Sequence, residues 1–251
     1  DVHKCGDEPL QIATNFPKCV VVVDEQRVRG AYFIKNNFHV DAIILDDGFQ
    51  HRKIGRQMDI VIIDTLQQEQ RLLPVGKNRE AFTGLHRSSF IIFSRFEKNE
   101  QTANYIYKMK KYITAPTALT EFLPVQLKNV FSGEEQSISE LRDKSIFAFC
   151  GIGTPESFRM MLHNCGGKIS KFTSFADHHM FTKAEIELLH AKFTESQSYY
   201  CITTEKDAMR VREVMLNHAL EKFPLWMLNI DTKFIEGEHE FQTQLLQTIG
   251  D

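Results

Sequence analysis

Short apolar runs, separated by polar or amphipathic stretches, recur along the chain. Cys19 to Val23, Ala42 to Leu45, Ile60 to Ile63, Phe90 to Ser94, Ser145 to Cys150, Ile169 to Thr173, Tyr199 to Thr203 and Leu225 to Ile230 all have strand length and composition. Helical spacing lies between them. Thr102 to Tyr112 sets Tyr105, Ile106, Met109 and Tyr112 on one side. Thr182 with Glu185 forms a capping box opening a helix to about Phe193. Further helices are predicted after Pro9, after Arg27, over Pro155 to Cys165, from near Lys206, and over Glu238 to Ile249. Regular strand–helix alternation predicts α/β architecture with a mostly parallel sheet in both halves. Thr117 to Val130, punctuated by Pro116 and Pro124, reads as a β-type connector. The expected organisation is a core domain over 1–116 and a second, smaller α/β domain over 117–251. The connector occupies about 117–144, and the closing helix is free to return to the first domain.

Composition is ordinary for a globular chain of 251 residues, with 42% hydrophobic and 25% charged positions. The net charge of −3 argues against a general nucleic-acid binder. Five cysteines are scattered without a CxxC pair, which suits reduced thiols in a cytosolic setting. No apolar run approaches the roughly 20 residues that span a bilayer. The chain begins at Asp1 and is in motif-like sequence by Gly6, so a longer natural N-terminus is expected.

Candidate chemistry concentrates in Val40 to Asp64. One apolar run ends on Asp46-Asp47, followed at once by Gly48, Phe49, Gln50 and His51; the next ends on Asp64. Ligands of open α/β sheets sit beyond the carboxyl ends of strands, and an Asp at such an end is a common Mg²⁺ holder in nucleotide sites. The loop over 70–80 adds Lys77, Arg79 and Glu80; Arg79 has the planar fork that clamps phosphate, although a solvated loop arginine is the commoner case. Asp7 and Glu8 precede Pro9, where acids also simply favour a helix N-terminus. Gly151-Ile152-Gly153 makes a turn that could cradle an anion or only connect strand to helix. Asp177-His178-His179 reads as a cap with surface histidines, or as a carboxylate–imidazole base. Thr204 with Asp207 reads foremost as a helix cap. A GxxxxGK[ST] phosphate loop is absent from the sequence, so the chain is either no P-loop phosphotransferase or has that loop upstream of Asp1.

Together, CGDEPL, IILDDGFQHRKI, MDIVIIDT, LLPVGKNRE, FCGIGTPESF, FADHHMFT and ITTEKDAMR resemble the tetraacyldisaccharide 4′-kinases of lipid A biosynthesis, in family order from about Gly6 to Arg210. The resemblance implies a P-loop-kinase-like fold and transfer of the ATP γ-phosphate to the 4′-hydroxyl of a tetraacyl glucosamine disaccharide 1-phosphate. It implies ATP and Mg²⁺ as cofactors, a lipid substrate, and the cytoplasmic face of the bacterial inner membrane. Membrane contact would run mainly through an N-terminal segment that, with the phosphate loop, would precede Asp1. Carried over by position, Asp7 would be the catalytic acid–base and His178 its partner, with His179 a second candidate. Asp46 and Asp47 would serve Mg²⁺, and Asp47, Gln50, His51, Arg79 and Glu80 the substrate and phosphates. Asp7 and His178 would lie in different domains, coupling proton removal to closure. Gln57, Lys77-Asn78 and Thr154 stand where Asp, Pro-Leu and Asn are common in the family. Residues 1–251 alone are expected not to transfer phosphate. The rival reading is a DHH-type metal phosphohydrolase, with Asp46, Asp47 and His51 adding ligands for two metals and Asp24 after an N-terminal strand as its further acid.

Overall fold

The computed structural model describes residues 7–68, 71–76, 78–220 and 222–250, with the side chain of Asp7 outside that description. The described helices are α1 (Asp7–Asn15), α2 (Arg27–Asn37), α3 (Glu100–Met109), α4 (Pro155–Asn164), α5 (Lys183–Ser196), α6 (Glu205–Asn217) and α7 (Glu238–Gly250). The strands are β1 (Ile60–Asp64), β2 (Phe90–Ser94), β3 (Thr117–Asn129), β4 (Glu135–Ser137), β5 (Ser145–Cys150), β6 (Lys168–Ser174), β7 (Tyr200–Thr204) and β8 (Leu225–Glu236).

Two compact units form. The first gathers Asp1–Val21 with Pro124–Asp231, the second Val22–Leu123 with Thr232–Asp251. This differs from a division at 116/117. The break falls inside β3, and the N-terminal stretch leaves the segment that follows it to join the C-terminal half of the chain. Two side-chain links tie that stretch in: Lys206 pairs with Glu8 at 3.0 Å, and the Asn15 amide donates to Glu205 at 3.0 Å. Asp7 and His178 thus belong to one unit, not to two.

In the first unit β6, β5, β7 and β8 run parallel, with β4 antiparallel to the second half of β3. Strand side chains alternate between faces, and here both faces are covered. Phe147, Phe149, Cys201, Leu225 and Met227 meet Ile186 and Leu189 of α5 and Ala208, Val211 and Met215 of α6. Ile146, Ala148, Cys150, Ile202, Trp226 and Leu228 meet Phe158 and Leu162 of α4. This explains why β5 reads as an apolar run after its first serine and why every residue of β7, its two threonines included, is buried, as in parallel strands covered on both sides. The Thr182–Glu185 capping box forms as expected.

In the second unit β1, β2 and β3 pair in parallel. Ile91 and Phe93 pack with Leu85 and with Tyr105 and Met109 of α3. Asn99 caps α3 by accepting from Thr102 N at 2.8 Å. Phe90 meets Phe241 of α7 edge-on at 5.2 Å.

Two expected strands are missing among the described residues. Cys19 to Val23 and Ala42 to Leu45 have no ladder partner and expose Val23, Ile43 and Ile44, the last at 94%. Apolar, β-branched composition makes a segment fit for a sheet, but only a neighbouring backbone makes it a strand.

Candidate active-site residues

Asp46 and Asp47 lie in a turn rather than at the end of a paired strand, and Asp47 takes a left-handed conformation, φ 52°. Asp tolerates this region better than most residues. The turn is fastened from behind by Arg56, which donates to the carbonyls of Gly48 at 2.9 Å and His51 at 2.8 Å and pairs with Asp59 at 2.8 Å. The His51 N–H also closes onto Gly48 O at 2.9 Å.

Two blocks some 30 residues apart meet here. Arg79 forms an ion pair with Asp47, which raises the arginine pKa further above its ordinary value. The Gln50 amide donates to Glu80 at 2.8 Å. Arg87 grips the same carboxylate at 2.9 and 3.1 Å while its guanidinium lies 4.5 Å from the Phe49 ring centre. The structure therefore brings together Asp47, Gln50, Arg79 and Glu80, with His51 in the same turn. Lys77 lies outside the described residues. Arg56 and Arg87 were not singled out from sequence; lone arginines in polar stretches carry no periodic signal.

Two carboxylates expected to face a ligand are engaged internally. Asp64 ends β1 but receives the Arg95 guanidinium on both oxygens. Asp24 accepts from Gln26 N at 2.8 Å and from Arg29 at 2.7 Å, which lowers its pKa, the Arg29 hydrogen bond most of all. Among the described residues no group of three or more His, Cys, Asp or Glu side chains is arranged to hold a metal. Asp46 and Asp47 do suit Mg²⁺ by donor chemistry, since that ion commonly takes one or two carboxylates and leaves its other positions to phosphate and water.

In the first unit a buried carboxylate organises three motifs. Asp207 is fully buried and accepts from Gly151 N at 2.8 Å and from the Thr204 hydroxyl at 2.7 Å. Buried Arg210, one turn along α6, donates to its other oxygen at 3.3 Å. The anion held by the Gly151 turn is thus the protein's own Asp207. Glycine suits this close approach: a Cβ would lie 3.1 Å from His179 Cβ and 3.2 Å from Ala176 O, so a larger residue would push these neighbours by a few tenths of an ångström. Thr204 caps α6 as expected, accepting from Asp207 N at 3.2 Å. The same Asp also joins the turn to the helix, which the capping pattern alone did not reveal. The i, i+3 spacing of Asp207 and Arg210 was the available signal.

The two histidines differ. His179 stacks on Phe175 at 4.7 Å, meets Phe181 edge-on at 5.0 Å, and bonds Glu185 at 3.1 Å. His178 has 62% of its side chain exposed and a left-handed backbone, φ 58°. That backbone is held by its N–H, 3.2 Å from Gly151 O and 3.0 Å from Asp177 Oδ1. Glu185 has a lowered pKa, chiefly because it accepts the Thr182 N–H.

The fold and these clusters define an α/β protein with a mostly parallel sheet and two polar clusters built on turns and loops. The profile of the LpxK family, tetraacyldisaccharide-1-P 4′-kinase, matches residues 1–250, and the chain belongs to that family. It is 33% identical to a tetraacyldisaccharide 4′-kinase of Chlorobaculum parvum, over 97% of this chain and 68% of that one. A Bdellovibrio bacteriovorus protein of the same name is 28% identical over 96% of this chain and 72% of its own. A crystal structure of LpxK from Aquifex aeolicus in complex with ATP aligns with TM-score 0.70 and 26% identity, over 97% of this chain and 69% of that chain. The phosphohydrolase reading is not favoured: Asp24, its further acid, is held by Arg29, and the family match spans the DHH triplet and every other block.

Proposed function

We propose that this protein phosphorylates the 4′-hydroxyl of tetraacyldisaccharide 1-phosphate, using ATP with Mg²⁺, as a step in making lipid A. The family match over residues 1–250 carries the reading. The ATP complex of the Aquifex aeolicus relative supports ATP as donor. A lipid acceptor favours work at a membrane surface, here the cytoplasmic face of the inner membrane.

A sugar hydroxyl attacks poorly until it is aligned and loses its proton. Asp7 takes that proton and His178 holds the carboxylate ready. Glu8, next to Asp7 on α1, is paired to Lys206 on α6, the helix whose Arg210 reaches His178. His178 suits this role better than His179, because its ring is exposed while the other ring is stacked and bonded. Arg79, exposed and paired with the similarly exposed Asp47, is available to exchange that partner for a phosphate. Glu80 keeps Gln50 in place beside it. Asp46 and Asp47 would hold Mg²⁺, which supplies neutralisation of phosphate charge.

The test measures phosphate transfer from labelled ATP to the acylated disaccharide by the full-length protein. Asp7→Ala and His178→Ala are each expected to lower kcat far more than they raise KM. Near-normal turnover in both would remove the pair from the mechanism.

A further inference from the structure

The side chain that reaches the exposed His178 from beneath is Arg210. One guanidinium nitrogen of Arg210 lies 3.3 Å from His178 Nδ1. The other lies 3.3 Å from Asp207 Oδ1 and 3.5 Å from the His179 carbonyl. Arginine has donors and no acceptor. His178 Nδ1 must therefore accept, so the imidazole carries its proton on Nε2. That nitrogen is 3.9 Å from Asp177 Oδ1, too far to be engaged by it. Asp207 is anchored by Gly151 N and Thr204 Oγ1, so the guanidinium is fixed at its far side before it meets the histidine.

We infer that Arg210, held by Asp207, is the positioning residue that locks His178 in its Nε2-protonated tautomer and aims that N–H outward as a donor. The hydrogen bond at one ring nitrogen selects which nitrogen carries the proton. The inference deepens the role given to His178 above and rests on it only for its consequence in turnover. A carboxylate base is served by an imidazole that donates, and a ring free to flip or change tautomer would at times offer it an acceptor instead. The backbone adds to the constraint: the left-handed His178 is pinned to Gly151, and Gly151 is pinned to the same Asp207. Three sequence blocks thereby converge on one ring orientation.

The experiment records long-range ¹H–¹⁵N spectra of histidine-labelled protein at about pH 8.5, well above the ordinary imidazole range. The His178 signals are assigned by their loss in His178→Gln. The native protein is expected to show a bare Nδ1 and a protonated Nε2. Arg210→Lys keeps a cation opposite Asp207 but lacks the fork that reaches both partners. It should shift the His178 signals towards mixed tautomers and lower kcat on the order of 10- to 100-fold with KM little changed. Should Arg210→Lys not fold, the double variant Asp207→Asn/Arg210→Gln removes both charges together and is read in the same way. A native Nδ1-protonated ring, or an unaltered His178 signature in the folded variant, would overturn the inference. Altered tautomers with turnover unchanged would instead uphold the positioning and refute the catalytic role of His178.

Discussion

Two aspartate–arginine pairs of opposite burial offer an internal comparison. Asp207 and Arg210 are buried, whereas Asp47 and Arg79 are both more than half exposed. Replacing Asp207 by Ala removes three hydrogen-bond acceptances and leaves the Arg210 charge in the interior without its carboxylate. Breaking a buried pair from one side costs about 3–5 kcal/mol. The exposed pair is screened by water, and Asp47→Ala should cost roughly 0–1 kcal/mol. For a chain of this size each kcal/mol moves the midpoint by about 2–4 °C, so the expected losses are on the order of 6–20 °C and at most about 4 °C. Urea unfolding followed by circular dichroism, with thermal melts alongside, measures both. Replacing both buried partners, Asp207→Leu with Arg210→Met, should recover the part of the loss that comes from the unpaired charge, the Gly151 N–H and Thr204 hydroxyl still lacking their acceptor. The reasoning is refuted if Asp207→Ala and Asp47→Ala destabilise equally, or if the double replacement is as damaging as the single one.

Two further predictions concern titratable groups. Burial is the main cause that pushes the Cys150 thiol up to about 12, and it raises buried Cys201 as well, whereas Cys19 is exposed. A maleimide at about pH 8 should label Cys19 in the native protein and reach Cys150 and Cys201 only after unfolding, as read by peptide mass analysis. Glu185 has a lowered pKa in the folded state, so its capping contribution is present above the unfolded carboxylate value and lost as pH falls through the folded one. The stability gap between the native protein and Glu185→Gln should therefore be full at pH 7 and narrow as pH falls below the unfolded carboxylate value of about 4.3 and through the lower folded one; a gap independent of pH would show that the charge is idle.

Much of the fold could be read in advance, for identifiable reasons. β5 and β7 are short, mostly apolar and bounded by turns, and both of their faces are in fact covered. The Thr182–Glu185 box is a local signal with a local cause. What failed was whatever depended on a distant neighbour. Ala42 to Leu45 has the composition of a strand and lacks a partner among the described residues. Asp64 ends its strand as expected, yet Arg95, which is 31 residues away, occupies it. In the candidate site, the block containing Arg79 and Glu80 meets Asp47 and Gln50. The contact of Arg210 with His178 spans 32 residues of sequence, and the grip of Arg56 and Arg87 on loop carbonyls and on Glu80 depends on turns whose shape no periodic spacing encodes.

The two units are interleaved along the chain. The path passes between them after Val21, within β3 after Leu123, and within β8 after Asp231. Each unit is thus assembled from two separate lengths of polypeptide, and two of the three crossings lie inside strands. A nick at any one crossing would leave two fragments, at least one of which owns part of both units, so the pieces would be mutually dependent rather than separable modules. Shuffling such a protein with a relative by a single exchange point would split at least one unit between parents. In recombination, inheritance of the two halves is coupled by the route of the chain itself.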